Sequence, residues 1–198
     1  MVGKDGRIQI SKTKPKNGKK AMPKLPSKTI EECVSRIEDR TIRLFVAKAL
    51  REAPKYFWTA SSSSSGKHHP VDEHGKGGLV FHTVRVFNVA EVFIPSLVGS
   101  DSMQAHPDVI RAGALLHDLY RYGVKDVAED TTNKLHAELA AKVLDGMSED
   151  FPLKKAVVFC VERHMGRWGQ VLPNSMDEWL VHFSDGIATK YYPMKETK

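Results

Sequence analysis

The sequence predicts an all-α fold carrying a basic N-terminal arm. Apolar residues recur at spacings of three and four from Thr29 onward, the period of an amphipathic helix. Helix punctuation accompanies them: the capping-box patterns Thr29-x-x-Glu32 and Ser175-x-x-Glu178, Pro152 at an expected first helical position, and Gly146 and Gly166 past expected helix ends. No segment alternates convincingly as a strand, and no internal repeat is visible.

A chain of 198 residues has room for one domain with a proper core. Its 41% hydrophobic and 27% charged residues are ordinary for a soluble globular protein. The longest uninterrupted apolar run, Ala156 to Val161, is far too short to span a bilayer, and no apolar stretch follows the N-terminal basic residues as in a signal peptide. Cys33 and Cys160 both lie in apolar helical patterns and form no disulfide framework, so a cytoplasmic location is expected. The net charge of +6 is unevenly placed. Residues 1–28 hold nine Lys/Arg against the single acid Asp5, +8, which leaves 21 basic and 23 acidic residues and a body at −2. The expected organisation is a disordered basic arm over 1–27 and one helical domain over 28–198. Such an arm can hold nucleic-acid phosphates or simply solubilise the chain.

In order, a helix is expected from Thr29 to before Pro54, broken near Arg40, with Ile30, Cys33, Ile37, Ile42, Phe45, Val46 and Leu50 on its apolar face. Tyr56, Phe57 and Trp58 form an aromatic knot, and residues 61–78, with five serines, His68-His69 and four glycines, read as a loop. A helix from Leu79 to about Phe93 carries His82 one turn in. A loop containing His106-Pro107 leads to the next helix, which Gly123 ends and which is apolar on every side, hence buried. A short Ala-rich helix over 134–144 holds His136 in its first turn, one from Pro152 ends at His164, and the last, from Ser175 through Ala188, contains Asp185.

His117 and Asp118 adjoin at the end of the all-apolar helix. Burying a carboxylate costs several kcal/mol unless a cation or dense hydrogen bonding compensates it. A lone His-Asp pair is better read as a cap or an ion pair. The set His82, His117, Asp118, His136, His164 and Asp185 is harder to explain one residue at a time, and a shared metal centre accounts for all six.

The order His … His-Asp … His … His … Asp resembles the HD-domain superfamily of metal-dependent phosphohydrolases, over roughly residues 54–191. The flanks Gly77-Gly78-Leu79, Ala112 to Asp118, His164-Met165-Gly166-Arg167-Trp168-Gly169 and Trp179 to Asp185 are most similar to the HD module of bacterial 3′→5′ exoribonucleases. Those proteins carry an OB-fold before the module, where this chain has an arm and one helix. The resemblance implies an HD-domain helical bundle with His82, His117, Asp118 and Asp185 holding one ion, and His136 and His164 a second that shares Asp118. Mixed imidazole and carboxylate donors suit Mn²⁺, Fe, Co²⁺, Ni²⁺ or Zn²⁺. It further implies hydrolysis by activated water, with Asp118 and Arg121 catalytic. Arg121, Lys67 and Lys190 are candidates for substrate phosphate, and Trp168 for stacking on a base. The expected substrate is a nucleotide or the 3′ end of a short single-stranded nucleic acid, with no membrane partner. Alternatives are a regulatory module that binds nucleotide and metal without turnover, and an RNA-binding protein working through its arm.

Overall fold

The protein was analysed as a computed structural model, which describes residues 24–63, 69–97, 104–128 and 131–190. The described residues form seven α-helices and three short 3-10 turns, with no strand among them. The expected arm falls almost wholly outside the described residues.

The first expected helix divides in two, α1 (Lys28–Ser35) and α2 (Arg40–Arg51). Asp39 makes the break near Arg40, its Oδ1 accepting from the amides of Thr41 and Ile42 at 2.7 and 2.9 Å, which satisfies two otherwise unpaired donors of a helix start. The cap of α1 is Ser27 rather than Thr29, with its Oγ accepting from Ile30 N at 3.4 Å. A 3-10 turn over Lys55–Trp58 buries Tyr56 and Phe57, and the Tyr56 hydroxyl donates to Gly123 O at 2.6 Å.

Next comes α3 (Gly78–Leu97), which runs past its expected end and contains Pro95. Proline removes one helical donor but tolerates a position near a helix end. By length and composition α3 could cross a membrane; its buried side, including Leu79, Val86, Phe87 and Ala90, packs on α4 and α7. The central helix is α4 (Pro107–Leu116), which stops at Leu116 and passes through turns to Gly123. It touches α2, α3, α6 and α7. At Gly113 a Cβ would lie 2.7 Å from Cys160 Cβ and 3.0 Å from Val181 Cγ2, so the missing side chain lets α4 settle against both neighbours.

α5 (His136–Asp145) pairs with α6 (Lys154–Arg163). Pro152 lies two residues ahead of α6 instead of at its first position. The capping box of α7 (Met176–Lys190) forms as expected: Ser175 Oγ accepts from Glu178 N at 3.3 Å, while Glu178 Oε2 accepts from the amides of Ser175 and Asn174 at 3.4 and 2.6 Å.

Candidate metal centre

His117 and His164 stand at the C-terminal caps of α4 and α6, where the last carbonyls of a helix lack backbone partners. Each ring uses one: His117 Nδ1 donates to Ala114 O at 2.9 Å, and His164 Nδ1 to Val161 O at 2.7 Å. At the other kind of helix end, the first residue of α5, His136 Nδ1 donates to Asn133 O at 2.8 Å. A carbonyl only accepts, so each Nδ1 carries a proton, and in a neutral ring this leaves the Nε2 lone pair bare.

Those Nε2 atoms converge in two groups around Asp118. In the first, His82 and His117 Nε2 lie 3.3 Å apart, Asp185 Oδ1 is 3.1 Å from His82 and 4.0 Å from His117, and Asp118 Oδ2 is 3.8 and 3.5 Å from the same two nitrogens. In the second, His136 and His164 Nε2 are 3.2 Å apart, with Asp118 Oδ1 at 3.0 and 3.7 Å. The four imidazoles and Asp118 are buried; Asp185 keeps a partly exposed edge.

Two features of this cluster call for a cation. Asp118 Oδ1 is buried and makes no hydrogen bond, although such an orphaned acceptor normally costs a few kcal/mol. The neutral His164 ring also turns the bare lone pair of its Nε2 toward His136 Nε2, across a gap that a positive ion would turn attractive. The electrostatics agree. Burial would raise the Asp118 carboxyl, but Arg121 and His117 hold it well below the usual carboxylate range. Asp185 is likewise held low against burial by His82. Burial, then His117 and His136, push His164 down to about 3, so it is a neutral donor. Burial opposes charging His82, but Asp185 and Glu73 outweigh it and bring the ring to about 9. Mixed imidazole and carboxylate donors suit a divalent transition metal, and a metal taking His82 releases that proton.

Arg121 belongs to the site rather than to a surface ion pair: one guanidinium nitrogen donates to Asp118 Oδ2, and Nη2 donates to His69 Nε2 at 3.1 Å. Trp168, on the 3-10 turn Gly166–Trp168 that follows His164, is 67% exposed, with the Arg167 guanidinium 5.2 Å above its ring. Its centroid is 6.3 Å from that of His182, whose Nδ1 donates to His164 O at 2.6 Å. Gly166 adopts φ +56°, and a Cβ there would meet the His182 ring at 2.5 Å. Lys67 lies outside the described residues. Lys190 ends α7, and its side chain falls outside them too.

Glu73 escaped the sequence reading, and His69 entered it only as one of the paired imidazoles of a loop. Glu73 sits in a 3-10 turn (Val71–Glu73) inside the expected loop, fully buried and pointed at His82. Burial would raise it, but His69, His82 and Arg85 bring it down to about 2. The paired imidazoles His68-His69 were a visible signal; nothing in the text around Glu73 distinguishes it from a surface acid.

Fold and site together define an all-helical domain whose helix ends converge imidazoles and carboxylates into a cluster able to hold divalent cations. The HD domain profile matches residues 79–190, more than half of the chain, and the chain belongs to the HD domain family. It is 33% identical over 122 residues to dihydroneopterin 2′,3′-cyclic phosphate phosphodiesterase of Methanocaldococcus jannaschii. That match takes in 58% of this chain and 47% of the relative, so it spans about half the length of that enzyme. No solved structure matches.

Proposed function

We propose that this protein is a metal-dependent phosphohydrolase acting on a phosphoester of a nucleotide or a similar heterocycle-bearing molecule, cyclic phosphodiesters included. The observation that carries the proposal is Asp118, which turns one oxygen to each of two histidine groups. Divalent ions held there would lower the pKa of a water and balance charge on phosphoryl oxygens. His82, His117, Asp118 and Asp185 are the proposed donors to one ion, and His136, His164 and Asp118 to a second.

The chain's own residues supply the rest. Arg121 fixes the Asp118 carboxylate and leaves a partly exposed guanidinium edge for a substrate phosphate, with Lys67 and Lys190 as further candidate cations. Trp168 and Arg167 offer an exposed stacking face close to His182 and, through it, to His164, suited to a base or a pterin. Neither cysteine is a nucleophile, since both are buried and burial pushes both thiols up.

The matched relative's name, a phosphodiesterase of a 2′,3′-cyclic phosphate, supports the cyclic phosphodiester reading. The exoribonuclease-like flanks and the basic N-terminal stretch, +8 over residues 1–28, support a second substrate, the 3′ end of single-stranded nucleic acid. Metal-stripped protein reloaded with Mn²⁺ separates these readings when offered 2′,3′-cyclic nucleotides, (d)NMPs, (d)NTPs and 5′-labelled RNA and DNA, with Asp118→Ala as control. Ring opening or phosphate release from small substrates alone supports the nucleotide reading. A ladder shortening from the 3′ end supports the nuclease. Silence on every substrate with metal bound would leave a regulatory module.

A further inference from the structure

His82 differs from the other three histidines. It lies in the first full turn of α3, not at a free helix end, so the backbone carbonyl that orients each of its partners is not free for it. Leu79 O, the carbonyl three residues back, already accepts from the Thr83 hydroxyl at 2.9 Å. The His82 Nδ1 instead faces Glu73 Oε2 at 3.3 Å. That same oxygen accepts from Ser62 Oγ at 3.1 Å and faces His69 Nδ1 at 2.9 Å, while Oε1 takes the Arg85 guanidinium. The backbone brings Glu73 this close because a Cβ on Gly78 would lie 1.8 Å from Glu73 O; only glycine lets the loop cross the start of α3 there.

We infer that Glu73 is the positioning residue of the centre, holding His82 with Nε2 aimed at Asp118 and Asp185 and, through His69, holding Arg121 beside Asp118. A carboxylate behind a ligating imidazole fixes the ring's tautomer and raises its donor strength, and loss of such a partner typically costs 10–100-fold in metal affinity. Glu73, His69 and His82 could in principle clamp an ion of their own, but the Arg85 guanidinium and the Ser62 hydroxyl already occupy the carboxylate, which makes it an acceptor hub. The inference rests on the metal-centre reading above.

The test is a Co²⁺ titration of metal-free full-length protein, followed by absorption and calorimetry, with folding checked by circular dichroism. Glu73→Gln should bind Co²⁺ about 10–100-fold more weakly in one class of site, with stoichiometry unchanged. His136→Ala should weaken a different class and leave the Glu73-dependent one intact. Unchanged affinity and spectrum in folded Glu73→Gln overturns the inference alone; no Co²⁺ binding by the wild type overturns the metal reading with it. Loss of one whole equivalent in Glu73→Gln would make Glu73 a ligand and also overturn it. Should Glu73→Gln not fold, ¹⁵N-histidine spectra of the Zn²⁺-loaded wild type decide. A low-field, slowly exchanging Nδ1 proton on His82 supports the inference, and a rapidly exchanging one at an ordinary shift overturns it.

Discussion

Asp118 is the residue on which the site turns, because its carboxylate stands between the two histidine groups. Its two oxygens are divided between them, and Arg121 grips one of the two. Loss of a group behind a ligand costs about 10–100-fold in metal affinity or activity, and Asp118 is placed as a donor to both groups. Asp118→Ala should therefore lower turnover by more than about 100-fold, measured on whichever substrate the panel identifies, with helical content retained by circular dichroism. The two thiols give a second prediction. Burial raises Cys33 to about 11 and Cys160 well above its ordinary value. Both should resist a thiol-labelling reagent at pH 8 in the native protein and both react once it is unfolded. The sign of the linkage follows: below pH about 9 both states are protonated and nothing changes, while from there to about 11 the unfolded chain ionises first and stability falls. At this scale the six clustered residues were legible as an ordered set, since burial makes each one costly without a partner. Arg121 was legible, through the family resemblance, as a catalytic cation for substrate phosphate, but not as the guanidinium that grips Asp118. Glu73 was not legible, because its importance comes from a loop folding back across Gly78, a contact that no local spacing encodes.

At the scale of elements, the helices were legible from their period and the breaks from their caps, with errors of a few residues where tertiary packing decides. The turns after Leu116 carry His117 and Asp118 out of α4 sooner than the apolar pattern suggests, and α3 continues through Pro95 although proline ordinarily marks an end. Gly113 shows how closely packing is set. In Gly113→Ala the new methyl must displace Cys160 or Val181, and such overpacking costs about 1–3 kcal/mol. At about 2–4 °C per kcal/mol for a protein of this size, a thermal melt should register it clearly. Gly186, in α7 with nothing within 4 Å of a built Cβ, is the contrast. Gly186→Ala should raise stability by about 0.5–1 kcal/mol, since a helical glycine loses more backbone freedom on folding than alanine does.

Across the whole molecule, the candidate donors come from α3, the turn after α4, α5, the end of α6, and α7, so an ion held among them would tie together helices far apart in the chain. A ligand that binds only the folded state stabilises it by about 2.7 kcal/mol when present at 100 times its Kd. Chelation should lower the melting temperature of the wild type and leave that of Asp118→Ala nearly unmoved, as read by calorimetry with and without added Mn²⁺. The wide spacing of the donors also has a temporal side. Asp185 meets His82 across 103 residues of sequence, and a ribosome adding about 5–20 residues per second takes roughly 5–20 s to cover them. Asp118, His136 and His164 are all synthesised before any of α7. Under the two-ion reading the second ion's donors are therefore all in the chain before the first ion's set, which waits for Asp185 in α7, is complete.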